Sequence, residues 1–187
     1  MLEALIPSRT RVKLLTLFLL NPGREYYIRE IERTTGENIN AIRRELANLE
    51  SFGLISGQRR GNQQYFSAET GHFLYPELQR IILKTEGIAG EIRASLSGEA
   101  VTCMFIFGSF AKGSAGAGSD IDLFIVGDVS EDRLIPVIHT CEETLGREIN
   151  YTLMSREEFT LRKKNSDPFV TNIMREEKIY LAGTCDD

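Results

Sequence analysis

"FIFGSFAKGSAGAGSDIDLFIVG", residues 105–127, runs from an apolar stretch through small residues to two aspartates one residue apart, then back to apolar residues. Both ends read as buried strands, yet a strand interior disfavours aspartate and an unpaired buried carboxylate is costly. Asp120 and Asp122 are therefore either a solvated strand entrance or a holder of positive charge. Side chains two apart on a strand share a face, so these carboxylates point the same way, roughly 6–7 Å apart along the chain. That arrangement suits Mg2+, a hard cation that also takes phosphate oxygens. Gly108 lets a phosphate approach the backbone, and Ser109 adds a hydroxyl and an N–H near a helix start. Gly113, Gly116 and Gly118 keep the intervening loop pliable, and Ser119 at its end is a further nucleotide-binding candidate.

Outward from this stretch, "AVTCMFIFG" (100–108) reads as a strand, "FAKGSA" opens a helix and "DIDLFIVG" is the next strand. "EDRLIPVIHTCEETLG" is a helix and "REINYTLMS" a third strand. "SREEFTLRKKN" is another helix, with Ser155 as cap and Glu158 completing a capping box. The tail offers Phe169, Ile173, Ile179 and Leu181 for packing. Helices and strands alternate, which predicts a small α/β unit.

Gly108-Ser109, ten intervening residues and then Asp120-Ile121-Asp122 resemble the signature of the nucleotidyltransferase superfamily that includes DNA polymerase β, in its minimal form. The resemblance covers about Val101 to Gly183. It implies that Asp120 and Asp122 hold metal with a nucleoside triphosphate and that Gly108 and Ser109 hold its phosphates. The implied chemistry is attack of an acceptor hydroxyl on the α-phosphorus, with pyrophosphate leaving. The family's third carboxylate, on a later strand, helps deprotonate the acceptor. Its matching position here is Asn150, between Ile149 and Tyr151, and an amide cannot accept that proton. Glu148, two residues earlier on the same face, is the other candidate, beside the simpler reading of an exposed strand-edge charge.

Upstream, Val12, Leu15 and Leu19 with Leu14 and Phe18 fall at helical spacing behind Ser8, a plausible N-cap. "NPG" at 21–23 stops that helix. A second helix runs from Ile28 to Thr34 and ends near Gly36. A third begins around Ile39, keeps Ile42, Leu46 and Leu49 in register, and stops at Phe52-Gly53. Leu54–Arg60 and Gln63–Ala68 then flank a Gly61-Asn62 turn as a hairpin. Three helices and a two-stranded wing resemble a winged helix-turn-helix of the ArsR/MarR-like form. That resemblance implies that the third helix enters the DNA major groove and the wing touches the backbone. Asn38, Asn40, Arg43, Arg44 and Asn48 are the candidate base readers, and Arg59, Arg60, Asn62 and Gln63 the candidate phosphate contacts. A solvated helix face with a polar hairpin tip is the plainer alternative.

The predicted class is thus a two-domain α/β (α+β) chain. Residues 1–72 form a winged helix-turn-helix, 73–98 a connecting helix and 99–187 a small mixed-sheet nucleotidyltransferase-like domain. Charge divides along the same line, +2 over residues 1–72 and −7 over the rest of 187, which suggests modules with different partners. No apolar run is long enough to span a bilayer. Three cysteines at wide spacing fit neither a disulfide framework nor a zinc site, so a cytoplasmic protein with reduced thiols is expected. The leading functional expectation is a prokaryotic DNA-binding transcriptional regulator, a homodimer on double-stranded DNA. Its second domain binds Mg2+ with a nucleoside triphosphate or is catalytically degenerate. The alternatives are an active nucleotidyltransferase acting on a hydroxyl acceptor and a toxin–antitoxin type interaction scaffold.

Overall fold

The computed structural model describes residues 2–95 and 100–185. They form two compact units, residues 1–86 and 87–187. The boundary expected at residues 98 and 99 lies outside the described residues.

In the first unit, α1 (Arg9–Leu19) is capped by the Ser8 side chain, which accepts from the Arg11 N–H. Its buried residues Val12, Leu14, Leu15, Phe18 and Leu19 reach round most of its circumference, as suits a helix at the centre of a small core. α2 (Ile28–Thr35) ends where Gly36 turns left-handed at φ 65°, a conformation that costs glycine nothing. α3 (Ile39–Ser51) buries Ile42, Leu46 and Leu49, the stripe expected from its spacing. The hairpin follows as β2 (Ile55–Arg60) and β3 (Gln63–Ala68).

The expected hairpin forms, Arg60 opposite Gln63 at its tip, and a further short strand joins it to make a three-stranded sheet. β1 (Tyr26–Tyr27) pairs with β3, Tyr26 opposite Phe66, giving the order β1-β3-β2. Two residues are too few to display alternation, which is why the strand leaves no period in the sequence. α4 (Tyr75–Thr85) starts at the expected proline, Pro76 lying in its first turn. Tyr75 Oη and Gln79 Nε2 donate to the Leu19 carbonyl at 3.1 and 2.8 Å. They thereby satisfy one of the acceptors that the end of α1 leaves open. The expected single connecting helix is two helices, α4 and α5 (Ile88–Ser95), separated at Gly87.

The second unit is a four-stranded mixed sheet in the order β6-β5-β4-β7, formed by β4 (Ala100–Phe107), β5 (Ile121–Asp128), β6 (Ile149–Met154) and β7 (Ile179–Gly183). β4 runs antiparallel to β5 and β7, and β5 runs parallel to β6. The parallel pair is joined by α7 (Glu131–Leu145), a crossover of the length such pairs require. On one face Cys103, Phe105, Phe124 and Val126 pack with Phe159 of α8 (Arg156–Lys164) and with Val170 and Ile173 of α9 (Pro168–Arg175). Met104, Ile106, Leu123 and Ile125 alternate with these and are equally buried, so both faces are covered. That double burial explains why "LFIVG" shows no polar alternation.

The C-terminal tail, foreseen only as packing residues, is a helix and an edge strand. The expectation of three reduced thiols is also corrected. Cys103 and Cys185 are paired with Cα atoms 5.7 Å apart, and Cys141 is the buried free thiol. The 82-residue separation of the pair gave the sequence no spacing signal.

Candidate functional site

The end of β4 and the starts of β5 and β6 lie at one edge of the second sheet. The register sets Phe107 and Asn150 on either side of Asp122. Asp122 is the second residue of β5. Asp120, expected within that strand, lies just before its first residue. The chain leaves β4 into the short helix α6 (Gly108–Ala111), which begins at Gly108 itself. Gly108 has φ 69°, and a Cβ there would overlap Asp122 Oδ2. Only glycine fits, both for its backbone and for the carboxylate resting against it.

Burial pushes the Asp122 carboxyl above its ordinary range, Asp120 and then Glu176 push it further, and Lys112 opposes them. The charged form of Asp122 is therefore costly and invites a cation. Asn150 Nδ2 donates a hydrogen bond to Asp120 Oδ2. Glu148 is exposed, and its backbone carbonyl accepts from the Ile121 N–H at 3.0 Å. Ser109 is half-buried in α6.

The loop between α6 and β5 is closed by Ser119, whose Oγ accepts from the Gly116 N–H at 2.9 Å. Arg147, buried at the approach to β6, donates to the Ser119 carbonyl and, at 3.0 Å, to the Gly116 carbonyl. Its guanidinium lies 5.3 Å from the Phe110 ring centre. Lys112 Nζ is 2.9 Å from Glu176 Oε2 beside the aspartates. Sequence reasoning missed Lys112, Arg147 and Glu176. Lys112 follows Gly108 by one helical turn, which was a usable signal. Glu176 sits at the end of α9 and carried none.

The donors at this edge are hard carboxylate oxygens from Asp120 and Asp122, with Asp122 resting against Gly108, so these residues fit Mg2+. Among the described residues, no group of three or more histidine, cysteine or acidic side chains forms a metal site by itself. A bound ion would draw its remaining ligands from substrate and water, as Mg2+ commonly does.

In the first unit, Arg29, Ile39, Arg43, Asn62, Gln63 and Gln64 line a groove of about 220 Å3 between the helices and the wing tip. Arg43 and Arg44 are exposed, and Asn40 stands on the first turn of α3. Other candidates are turned to different work. Asn38 precedes the helix as its N-cap, and its side chain accepts from the Asn40 N–H at 2.9 Å. Asn48 donates to the buried Glu45 at 3.2 Å and lines a different cavity, with Arg11, Phe52 and Leu78. Arg60 makes a bidentate pair with Glu25, at 2.6 and 2.7 Å. Arg59 reaches back to the Gly61 carbonyl at 3.3 Å.

The nucleotidyltransferase domain family matches residues 88–181, half of the chain, and the chain belongs to that family. No curated protein matches the chain significantly. Among solved structures, a possible transcriptional regulatory protein from Mycobacterium bovis (fragment 1–100) is 27% identical, over 44% of this chain and 94% of that one, with a TM-score of 0.31. A toxin–antitoxin structure with AMP-PNP is 17% identical, over 53% of this chain and 76% of that one, with a TM-score of 0.35.

Proposed function

We propose that this chain is a DNA-binding transcriptional regulator whose second unit binds a magnesium–nucleoside triphosphate. The observation that carries the nucleotide half is the nesting of the Asp122 carboxylate against Gly108 with Asp120 beside it. Asp120 and Asp122 would hold Mg2+, whose chemistry is to neutralise phosphate charge and polarise a phosphoryl oxygen. Gly108 and Ser109 would receive phosphates at the start of α6, while Arg147 and Ser119 fix the loop that leads to the aspartates. Full transfer chemistry also needs a proton acceptor for the incoming hydroxyl. Asn150 is spent on Asp120 and cannot be that acceptor. The reading is therefore a nucleotide-binding domain without the family's base at residue 150.

The DNA half is supported by the three-helix-and-hairpin order of the first unit, read as a winged helix, and by its groove. Arg43 would meet base edges there, Arg44 and Asn40 would flank it, and Asn62 and Gln63 would meet the backbone. Arg60 would contact phosphate only by exchanging Glu25. A homodimer reading two half-sites of double-stranded DNA in a prokaryotic cytoplasm is part of this reading.

Two titrations test it. MgATP and MgGTP are titrated calorimetrically into the wild type and Asp122→Asn, and magnesium-dependent binding that the substitution removes is expected. Binding that survives Asp122→Asn would move the site elsewhere. Duplex binding is then measured against salt, where Arg43→Ala should weaken affinity and flatten the slope. Indifference to that substitution would end the recognition-helix assignment.

A further inference from the structure

The end of the second sheet away from the aspartates is formed by the start of β4 and the ends of β5 and β7. A cavity of about 210 Å3 opens there against α8, lined by Thr102, Arg156, Thr160, Lys163, Thr184 and Cys185 among others. It carries two cations, and its described lining residues include no carboxylate. Lys163 Nζ donates to the Cys185 carbonyl at 3.3 Å. The Arg156 guanidinium is exposed and has no hydrogen-bond or ion-pair partner among the described residues.

The same cavity ends on the disulfide, and it reaches one sulfur residue only. Cys185 is among its lining residues and is 5% exposed, whereas Cys103 is fully buried and is not among them. Cys103 stands opposite Gly183 in the β4–β7 ladder. Gly183 has φ 52°, and a Cβ there would overlap the Thr102 carbonyl oxygen. Glycine thus lets the tail close onto β4 and bring Cys185 over Cys103. The two halves of the bond are therefore unequal in access, and the accessible half lies beside the two cations. Inside a cell, thiols keep most cysteines reduced, and a disulfide that forms there is characteristically one that is exchanged.

We propose that the Cys103–Cys185 disulfide is a thiol–disulfide exchange site, opened from this cavity by a small thiol bearing carboxylates, with Cys185 as the sulfur attacked. Arg156 and Lys163 draw in the carboxylates and favour the thiolate form of the incoming sulfur. That thiolate attacks Cys185 Sγ and forms a mixed disulfide. The bond to Cys103 breaks, and Cys103 leaves with the electron pair and takes up a proton. A second small thiol then attacks the small-molecule sulfur, and Cys185 is released as a thiol. Two small thiols lose two electrons and become a disulfide, and the protein disulfide gains them. The inference rests on neither the nucleotide nor the DNA reading, only on the intracellular setting.

The test follows reduction of the oxidised full chain, with new thiols alkylated and located by peptide mass spectrometry. Mercaptosuccinate, 2-mercaptoethanol and cysteamine serve as anionic, neutral and cationic probes. Each rate is divided by that probe's rate against hydroxyethyl disulfide, which removes intrinsic differences between the thiols. At low salt the anionic probe should react about tenfold faster than the cationic one, and high salt should erase the preference. Arg156→Gln/Lys163→Gln, two exposed positions, should erase it as well. Oxidised glutathione should cap Cys185 in Cys103→Ser and leave Cys103 unmodified in folded Cys185→Ser. Equal normalised rates for the three probes, or a preference that survives the double substitution, would overturn the proposal. So would a first adduct on Cys103. A pair that resists every probe until urea unfolds the chain is a structural staple, and the exchange site is then wrong.

Discussion

Asn150 Nδ2 donates to Asp120 Oδ2 across the parallel β5–β6 junction, at the register position level with Asp122. The amide thus holds in place one of the two carboxylates whose mutual repulsion it does nothing to increase. A carboxylate at residue 150 would reverse both effects.

Asn150→Asp should lower the melting temperature of the ligand-free protein by a few degrees, because a donor is lost and a third negative charge gained. The same variant should bind Mn2+ about tenfold more tightly, as an added anionic oxygen ligand strengthens a hard-cation site. Differential scanning fluorimetry with and without Mn2+ reads both. Unchanged Mn2+ affinity would place residue 150 outside the coordination sphere.

Asp122→Asn should act in the opposite direction on the ligand-free fold. The wild-type carboxyl is raised by burial and then by Asp120 and Glu176, so its ionised form costs stability at pH values above the ordinary aspartate range. Removing the charge should raise the melting temperature by a few degrees at pH 7, and the gain should vanish as pH falls and the wild type protonates. Mg2+ should stabilise the wild type and leave the variant unmoved. A variant less stable than the wild type without metal would contradict this account.

Glu45 supplies the acid sensitivity of the first unit. Burial pushes its carboxyl up, but hydrogen bonds from Ser8, Arg11 and Asn48 together outweigh burial and hold it below the usual glutamate value. Glu37 is lowered as well, first by Lys13 and then by Thr10. Depressed carboxylates stabilise the fold above their unfolded value of 4.5 and lose that contribution as pH falls through the folded one. Glu45→Gln should therefore cost about 1–3 kcal/mol at pH 7, and the gap to wild type should close toward pH 3. Urea unfolding at both pH values measures it.

Cys141 should be chemically silent in the folded protein. Burial, followed by Glu91 and Glu142, pushes its thiol up to about 11. At pH 8 only about one molecule in a thousand would carry the thiolate. Iodoacetamide should label it only when urea opens the fold. Rapid native labelling would mean that α7 separates from its packing far below the global unfolding point.

Much of the architecture is legible from periodicity. Val12, Leu15 and Leu19 announce α1, and Ile42, Leu46 and Leu49 announce α3, because buried apolar residues recur at helical spacing in both. Gly36 and Gly146 stop α2 and α7 at the left-handed positions their residue type favours. What escapes is whatever tertiary pairing decides. β1 is two residues long, and β7 becomes a strand by pairing with β4 rather than through its own alternation. The aspartates and Gly108 declare themselves by local spacing. Glu176, Lys112 and Arg147 matter through contacts made across long chain separations, and Arg60 is drawn to Glu25, a neighbour no local window contains, whereas Asn48 meets Glu45 one turn earlier on its own helix.

The elements around the aspartate edge are drawn from Gly108 through Asn150 to Glu176, across most of the second unit. These residues meet only once the sheet has formed, so a ligand held there recognises the finished fold and ignores the unfolded chain. By mass action such a ligand adds stability of RT ln(1 + [L]/Kd), about 2.7 kcal/mol at a hundredfold excess over Kd. Cellular nucleotide concentration would then set how long the second unit survives as well as what it binds, coupling the abundance of the protein to the energy state of the cell.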